Sequence, residues 1–230
     1  MRTKENLERI NERIATAQQR KGVGPVVKIV AITKKQPSNI IAEAYSAGLT
    51  IIGENRVQEA ETKFAEIPGI ASKLTKRLVG HLQSNKINKS LNLFDTVDSV
   101  DSLKLADKIG IKALSLNRNI PILLEVNTSG ESNKFGFNPR AIDEILACAD
   151  VHGIELRGLM TIGPLTADTK QIRKAFIELR KLHELIKTQL TKNAEKFTEL
   201  SMGMSGDFEI AIEEGATMIR LGTILFGARQ

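Results

Sequence analysis

The 230-residue sequence contains one cysteine, one tyrosine, no tryptophan and only three histidines, and it has no long uninterrupted apolar run. A single cysteine excludes an intrachain disulfide framework and a cysteine-based metal cluster. Cys148 also sits inside the amphipathic run Ala141-Ile-Asp-Glu-Ile-Leu-Ala-Cys-Ala149, where it reads as a small core hydrophobe and not as a nucleophile. His81, His152 and His183 show no ligand-like spacing, so no metal is expected. Aromatic residues make up 4% of the chain, too few for the stacking platforms of a nucleic-acid surface. The basic stretch 173–196 is therefore read as a solvated helix face, and no nucleic acid is expected as a partner. The first twenty residues are charged and helical in period, unlike a leader, and no segment is apolar for the length a membrane span needs. A cytoplasmic protein without membrane association is expected. A serine hydrolase is not supported, because no Gly-x-Ser-x-Gly elbow accompanies Ser201 or Ser205.

Thirty-three basic and 27 acidic residues leave a net charge of +6, which permits anionic ligands without requiring one. Short β-branched runs alternate with helical patterns. After a leading helix near 3–20, strands are expected near 26–33, 50–53, 77–80, 94–97, 120–127, 154–160, 197–201 and 217–221. Eight strands alternating with helices argue for parallel pairing, and eight is the number that closes a barrel. The expected fold is α/β, a single (β/α)8 TIM-type barrel domain over residues 1–230 with an extra N-terminal helix; an open doubly wound sheet is the competing architecture. Asn138-Pro139 reads as a helix N-cap followed by proline at the first helical position, and Gly48 and Gly215 read as helix C-terminal glycines.

Polar residues collect where these strands end, the edge at which α/β folds bind ligands. The first strand ends in Lys34 and Lys35, and a lysine there must be solvated, paired or chemically used. Alternation places Lys28, Val30, Ile32 and Lys34 on one face and Ile29, Ala31, Thr33 and Lys35 on the other, so only one of the two lysines points inward. Both faces are apolar, and periodicity does not choose between them. After the seventh and eighth strands, Ser201-Met-Gly-Met-Ser205-Gly and Gly222-Thr223 combine glycines, hydroxyls and helix starts, the makings of a phosphate cup. A lysine facing such a cup suits an aldehyde tethered to a phosphate, and Arg220 is placed to meet the ring nitrogen of such a molecule.

These residues carry a resemblance. Ala31-Ile-Thr-Lys34, Gly53-Glu-Asn-Arg-Val-Gln-Glu59, Val79-Gly-His-Leu-Gln-Ser-Asn-Lys86, Val126-Asn-Thr-Ser-Gly-Glu131 with Lys134 and Gly136, Leu156-Arg-Gly-Leu-Met-Thr-Ile162, and the segments 200–207 and 219–227 resemble the pyridoxal phosphate homeostasis proteins, which are built on a barrel like the N-terminal domain of alanine racemase. The resemblance spans almost the whole chain. It implies that pyridoxal 5′-phosphate (PLP) is held as a Schiff base on Lys34, with Arg220 facing the pyridine nitrogen and Ser201, Ser205, Gly222 and Thr223 holding the phosphate. It further implies that Asn55, Met160 and Met202 line the pocket. Two departures are visible: Arg77 stands where the family often has histidine, and Thr33 where it often has serine. The implied role is that of a carrier or regulator of the cofactor pool without established turnover, with PLP-dependent apo-enzymes as possible recipients and a monomer as the expected state. The alternative is a low-activity amino-acid racemase. It would need an acid/base group on each face of its substrate, and in the racemases of this fold one is a tyrosine from an additional domain. The sole tyrosine here, Tyr45, lies mid-helix, and nothing after the eighth unit is expected to supply another.

Overall fold

The computed structural model describes residues 2–22, 26–131 and 134–227. The elements run α1 (Arg2–Lys21), β1 (Lys28–Ile32), α2 (Ser38–Ser46), β2 (Ile51–Glu54), α3 (Val57–Glu66), α4 (Pro68–Ala71), β3 (Thr75–Leu78), α5 (Ile87–Leu93), β4 (Thr96–Val100), α6 (Leu103–Ser115), β5 (Ile120–Glu125), α7 (Ile142–Ala147), β6 (Ile154–Met160), α8 (Thr169–Gln189), β7 (Glu199–Ser201), α9 (Phe208–Glu213), β8 (Met218–Leu221) and α10 (Thr223–Phe226). The eight strands pair in parallel in sequence order and close as a barrel. Closure is made by β1 against β8, with Lys28 opposite Met218 and Ala31 opposite Leu221.

The period of two in each strand divides the barrel into two apolar layers. Ala31, Ile52, Leu78, Ile122, Leu124 and Leu200 join Ile41, Phe64, Ile109 and Phe176 of the helices in one core. Their alternate neighbours Val30, Leu123, Met160 and Met218 are buried apart from it, in the lumen. The leading helix adds Ile10, Ile14 and Ala17 to the outer core. Its Arg13 clamps Glu209 of α9 at 3.1 and 2.9 Å.

The lumen floor is polar. Arg77 donates to Asp98 and to Glu199, both at 2.6 Å, Lys28 reaches Glu199 at 3.1 Å, and the Thr96 hydroxyl donates to Asp98 at 2.8 Å. Burial alone would lower the Arg77 pKa, but the two carboxylates hold it above the ordinary arginine value. Glu199 sits below the usual carboxylate range for the matching reason, burial being outweighed by Arg77 and Lys28. Strands β3 and β4 fall at 75–78 and 96–100, where 77–80 and 94–97 are expected. β3 starts earlier, at Thr75 and Lys76, and β4 runs on through the charged lumen residue Asp98, which interrupts the apolar pattern.

Gly48 and Gly215 do end helices, with φ of +94° and +100° that glycine adopts at no steric cost. Asn138-Pro139 does not start one. The Asn138 side chain and carbonyl accept the N–H groups of Arg140 and Ala141, each at 2.9 Å, which closes a turn, and the helix begins only at Ile142. Cys148 is fully buried, and burial pushes its thiol up to about 12, the behaviour of a packed hydrophobe.

Candidate functional site

At the C-terminal end of the barrel the chain separates the two lysines by backbone conformation. Lys35 has φ +58° and is exposed, and its N–H donates to the Glu59 carboxylate at 2.5 Å. That turn leaves Lys34 on the lumen face, in the wall of a cavity of about 250 Å³. Behind Lys34 the strand end is fixed by a buried cluster. The Thr33 hydroxyl donates to Glu54 at 2.6 Å, and the Lys63 amine donates to Glu54 at 2.8 Å, to Glu59 at 2.6 Å and to the Thr33 carbonyl at 2.7 Å. Burial holds Glu54 above its ordinary pKa although Lys63 and Thr33 both pull it down. The threonine that departs from the family's serine thus keeps its hydroxyl in use.

Across the cavity stand the ends of β7 and β8. Arg220 is buried and donates to the Ser201 hydroxyl at 2.8 Å and to the Thr161 carbonyl at 2.7 Å. No described carboxylate forms an ion pair with it. Burial therefore lowers its pKa from the ordinary arginine value, with Glu125, Asp98 and Asp207 opposing from further off. Thr161 is held in turn, its hydroxyl donating to the Val126 carbonyl at 2.7 Å and pairing with Thr128 at 2.9 Å. After β7, Asp207 accepts the Met204 N–H at 2.5 Å and folds the chain over Ser205-Gly206. The Ser205 hydroxyl accepts the Ile224 N–H at 3.4 Å and so ties this loop to the start of α10. Gly222 has φ −126° and ψ −78°, and a Cβ there would lie 3.2 Å from the Ile32 carbonyl, a tight approach that glycine avoids.

Lys34, Asn55, Ser205, Arg220, Gly222 and Thr223 come together in the wall of this one cavity, with Ile32, Val79, Ile162, Met204 and Gly206. Three expected residues lie elsewhere. Ser201 is buried beneath the cavity as an acceptor for Arg220, Met202 belongs to the outer core, and Met160 is buried in the lumen. Met204 and Gly206 lie within the segment 201–206 expected to form the phosphate cup, and Thr161 lies within the segment 156–162 that carries the resemblance, though the sequence assigns none of the three a role of its own. Sequence reasoning missed Glu125, which does carry a signal, as a lone acid closing the apolar strand Ile-Pro-Ile-Leu-Leu-Glu. Glu125 is 8% exposed, and no described side chain donates a hydrogen bond to its carboxylate. Burial pushes it up to about 7, Asp101 adding to the rise and Arg220 opposing it. Among the described residues no group of three or more His, Cys, Asp or Glu side chains could hold a metal ion, and no helix is long and apolar enough to cross a membrane.

The profile of the alanine racemase N-terminal domain matches residues 4–230. A pyridoxal phosphate homeostasis protein of Aquifex aeolicus is 37% identical over 228 residues, covering 98% of this chain and 98% of its own. The structure of PipY from Synechococcus elongatus with PLP bound is 38% identical at a TM-score of 0.81, covering 94% of this chain and 99% of that one. An alanine racemase of Clostridium difficile superposes with a TM-score of 0.71 at 17% identity, covering 97% of this chain and 60% of that one, a likeness of fold alone.

Proposed function

Because the chain belongs to the alanine racemase N-terminal domain family, and within it to the pyridoxal phosphate homeostasis proteins, we propose that it binds PLP covalently through the Lys34 amine and acts as a carrier or regulator of the intracellular cofactor pool. One observation carries this reading: Lys34, Arg220 and the loops Ser205-Gly206 and Gly222-Thr223 line a single cavity. The residues suit the group. The loop residues leave glycine backbone and two hydroxyls open to a phosphate, and Gly222 sits where a side chain would crowd the Ile32 carbonyl. Arg220, pinned by Ser201 and Thr161, offers its guanidinium to a ring nitrogen. When bound, PLP supplies an aldehyde that links reversibly to an amine, and a conjugated ring. PLP-dependent apo-enzymes are the recipients this reading implies.

The cavity wall supports a carrier over a slow amino-acid racemase. Besides Lys34 and Arg220, its described residues include no titratable side chain. Tyr45 is packed against the outer core on α2, with the Lys73 amine 5.9 Å from its ring. A racemase needs an acid/base group on each face of the substrate α-carbon.

Borohydride trapping of the PLP-loaded protein with peptide mass spectrometry tests the assignment. Lys34→Ala should abolish the reducible adduct, and Lys35→Ala should keep it. A pyridoxyl group recovered on another lysine would sink it. Steady α-carbon deuterium exchange of L-alanine that disappears in Lys34→Ala would favour the racemase instead.

A further inference from the structure

Beside the cofactor cavity, and sharing Asn55 with it, lies a larger cleft of about 630 Å³ between the loop that leaves β2 and the loop that leaves β3. Its walls are Asn55, Arg56, Gln58 and Glu59 on one side and Gly80, His81, Gln83 and Lys86 on the other. Its charges differ in how far they are already used. Glu59 is engaged by the Lys63 amine at 2.6 Å and the Lys35 N–H at 2.5 Å, and His81 faces Asp101 at 3.1 Å and stacks on Phe135 at 4.0 Å between ring centroids. Arg56 and Lys86 make no ion pair with a described residue. Arg56 feels Glu59 only at a distance. Two cations and three side-chain amides therefore face a cavity of ligand size whose one carboxylate is neutralised from behind.

We propose that this cleft is a second binding site, for a small oxyanion, either a carboxylate or a phosphate monoester, carried by a molecule whose other end reaches the cofactor cavity past Asn55. An arginine fork and a lysine ammonium are the groups that recognise both kinds of oxyanion. The phosphate cup formed by the loops after β7 and β8 lies at a different part of the rim, so the cleft can be filled while that cup is occupied. The inference rests on the cofactor reading only for what its neighbour is.

The test uses the PLP-loaded protein, with the Lys34 adduct first verified by borohydride trapping. Propionate and inorganic phosphate are titrated separately by calorimetry at constant ionic strength into the wild-type protein and into Arg56→Gln and Lys86→Gln. At least one anion should bind, and each substitution should weaken it about tenfold, the loss expected for one charge-assisted hydrogen bond. The cofactor absorption band and its rate of release should stay unchanged. Preference for propionate assigns a carboxylate ligand such as an amino acid, and preference for phosphate assigns a phosphorylated one. Binding of neither anion, or binding that both variants retain, would overturn the site. A missing Lys34 adduct would instead overturn the cofactor reading, so the two failures are told apart.

Discussion

Replacing Glu125 with glutamine isolates the electrostatics behind the cofactor cavity. In the folded protein burial pushes this carboxyl up to about 7 from an ordinary 4.5, Asp101 adding to the rise and Arg220 opposing it. A group whose folded pKa is raised binds its proton more tightly in the native state. Its stabilising contribution is therefore complete below pH 4.5 and is lost as pH rises through 7. At ~1.4 kcal/mol per pH unit of separation, the wild-type protein should lose ~3 kcal/mol of stability to this one group between about pH 4.5 and pH 8. The attraction of Arg220 already lies within that figure, because it helps to set the folded pKa. Glutamine resembles the protonated acid in shape and charge, so Glu125→Gln should match the wild type at about pH 4 and exceed it by up to ~3 kcal/mol near pH 8. Urea denaturation of the cofactor-free protein, followed by far-ultraviolet circular dichroism because the chain has no tryptophan, measures the difference at each pH. A gap that does not change with pH would refute the reasoning, and a variant less stable at high pH would reverse its sign.

Arg77→Met should cost ~3–5 kcal/mol, because it leaves Asp98 and Glu199 buried without their shared partner; the same denaturation experiment at pH 7 reads it, and a loss under ~1 kcal/mol would show that the floor network is solvated. Gly222→Val should crowd the Ile32 carbonyl, 3.2 Å from the added Cβ, and sharply weaken PLP retention in protein that circular dichroism shows to be folded. A PLP titration followed by absorbance checks this, and wild-type affinity in the variant would remove Gly222 from the phosphate cup.

The barrel was legible because eight β-branched runs at regular intervals leave few alternatives. The end of the fourth strand was misplaced where a lumen position is charged, at Asp98, since a polar residue inside a closed barrel looks from sequence like a strand that has ended. The choice between Lys34 and Lys35 was not legible in the periodicity, and only the resemblance to the family made it. Both flank an apolar strand with two apolar faces, and what separates them is the left-handed φ of Lys35, anchored to Glu59 some 24 residues on. The same holds for Ser201, Met160 and Met202. Their segments were found, but whether a side chain at a strand end faces the cavity, the lumen or the outer core depends on where the strand stops, within one residue.

Arg220 joins these levels. A buried arginine with two neutral acceptors and no carboxylate within ion-pair distance is an unusual expense, and the structure meets it by fixing the guanidinium from two sides, through Ser201 of β7 and the Thr161 carbonyl at the end of β6. A carboxylate in that place would favour protonation of a facing ring nitrogen and strengthen the ring as an electron sink. On the proposed reading a fixed cation leaves that nitrogen neutral, so the ring is held and oriented but poorly suited to stabilise a carbanion. The Glu125 charge lies near enough to offset the arginine and carries no hydrogen bond from a described side chain. Its protonation therefore changes the net charge behind the ring without displacing Arg220, which makes cofactor affinity, more than any turnover, the property expected to follow pH near 7.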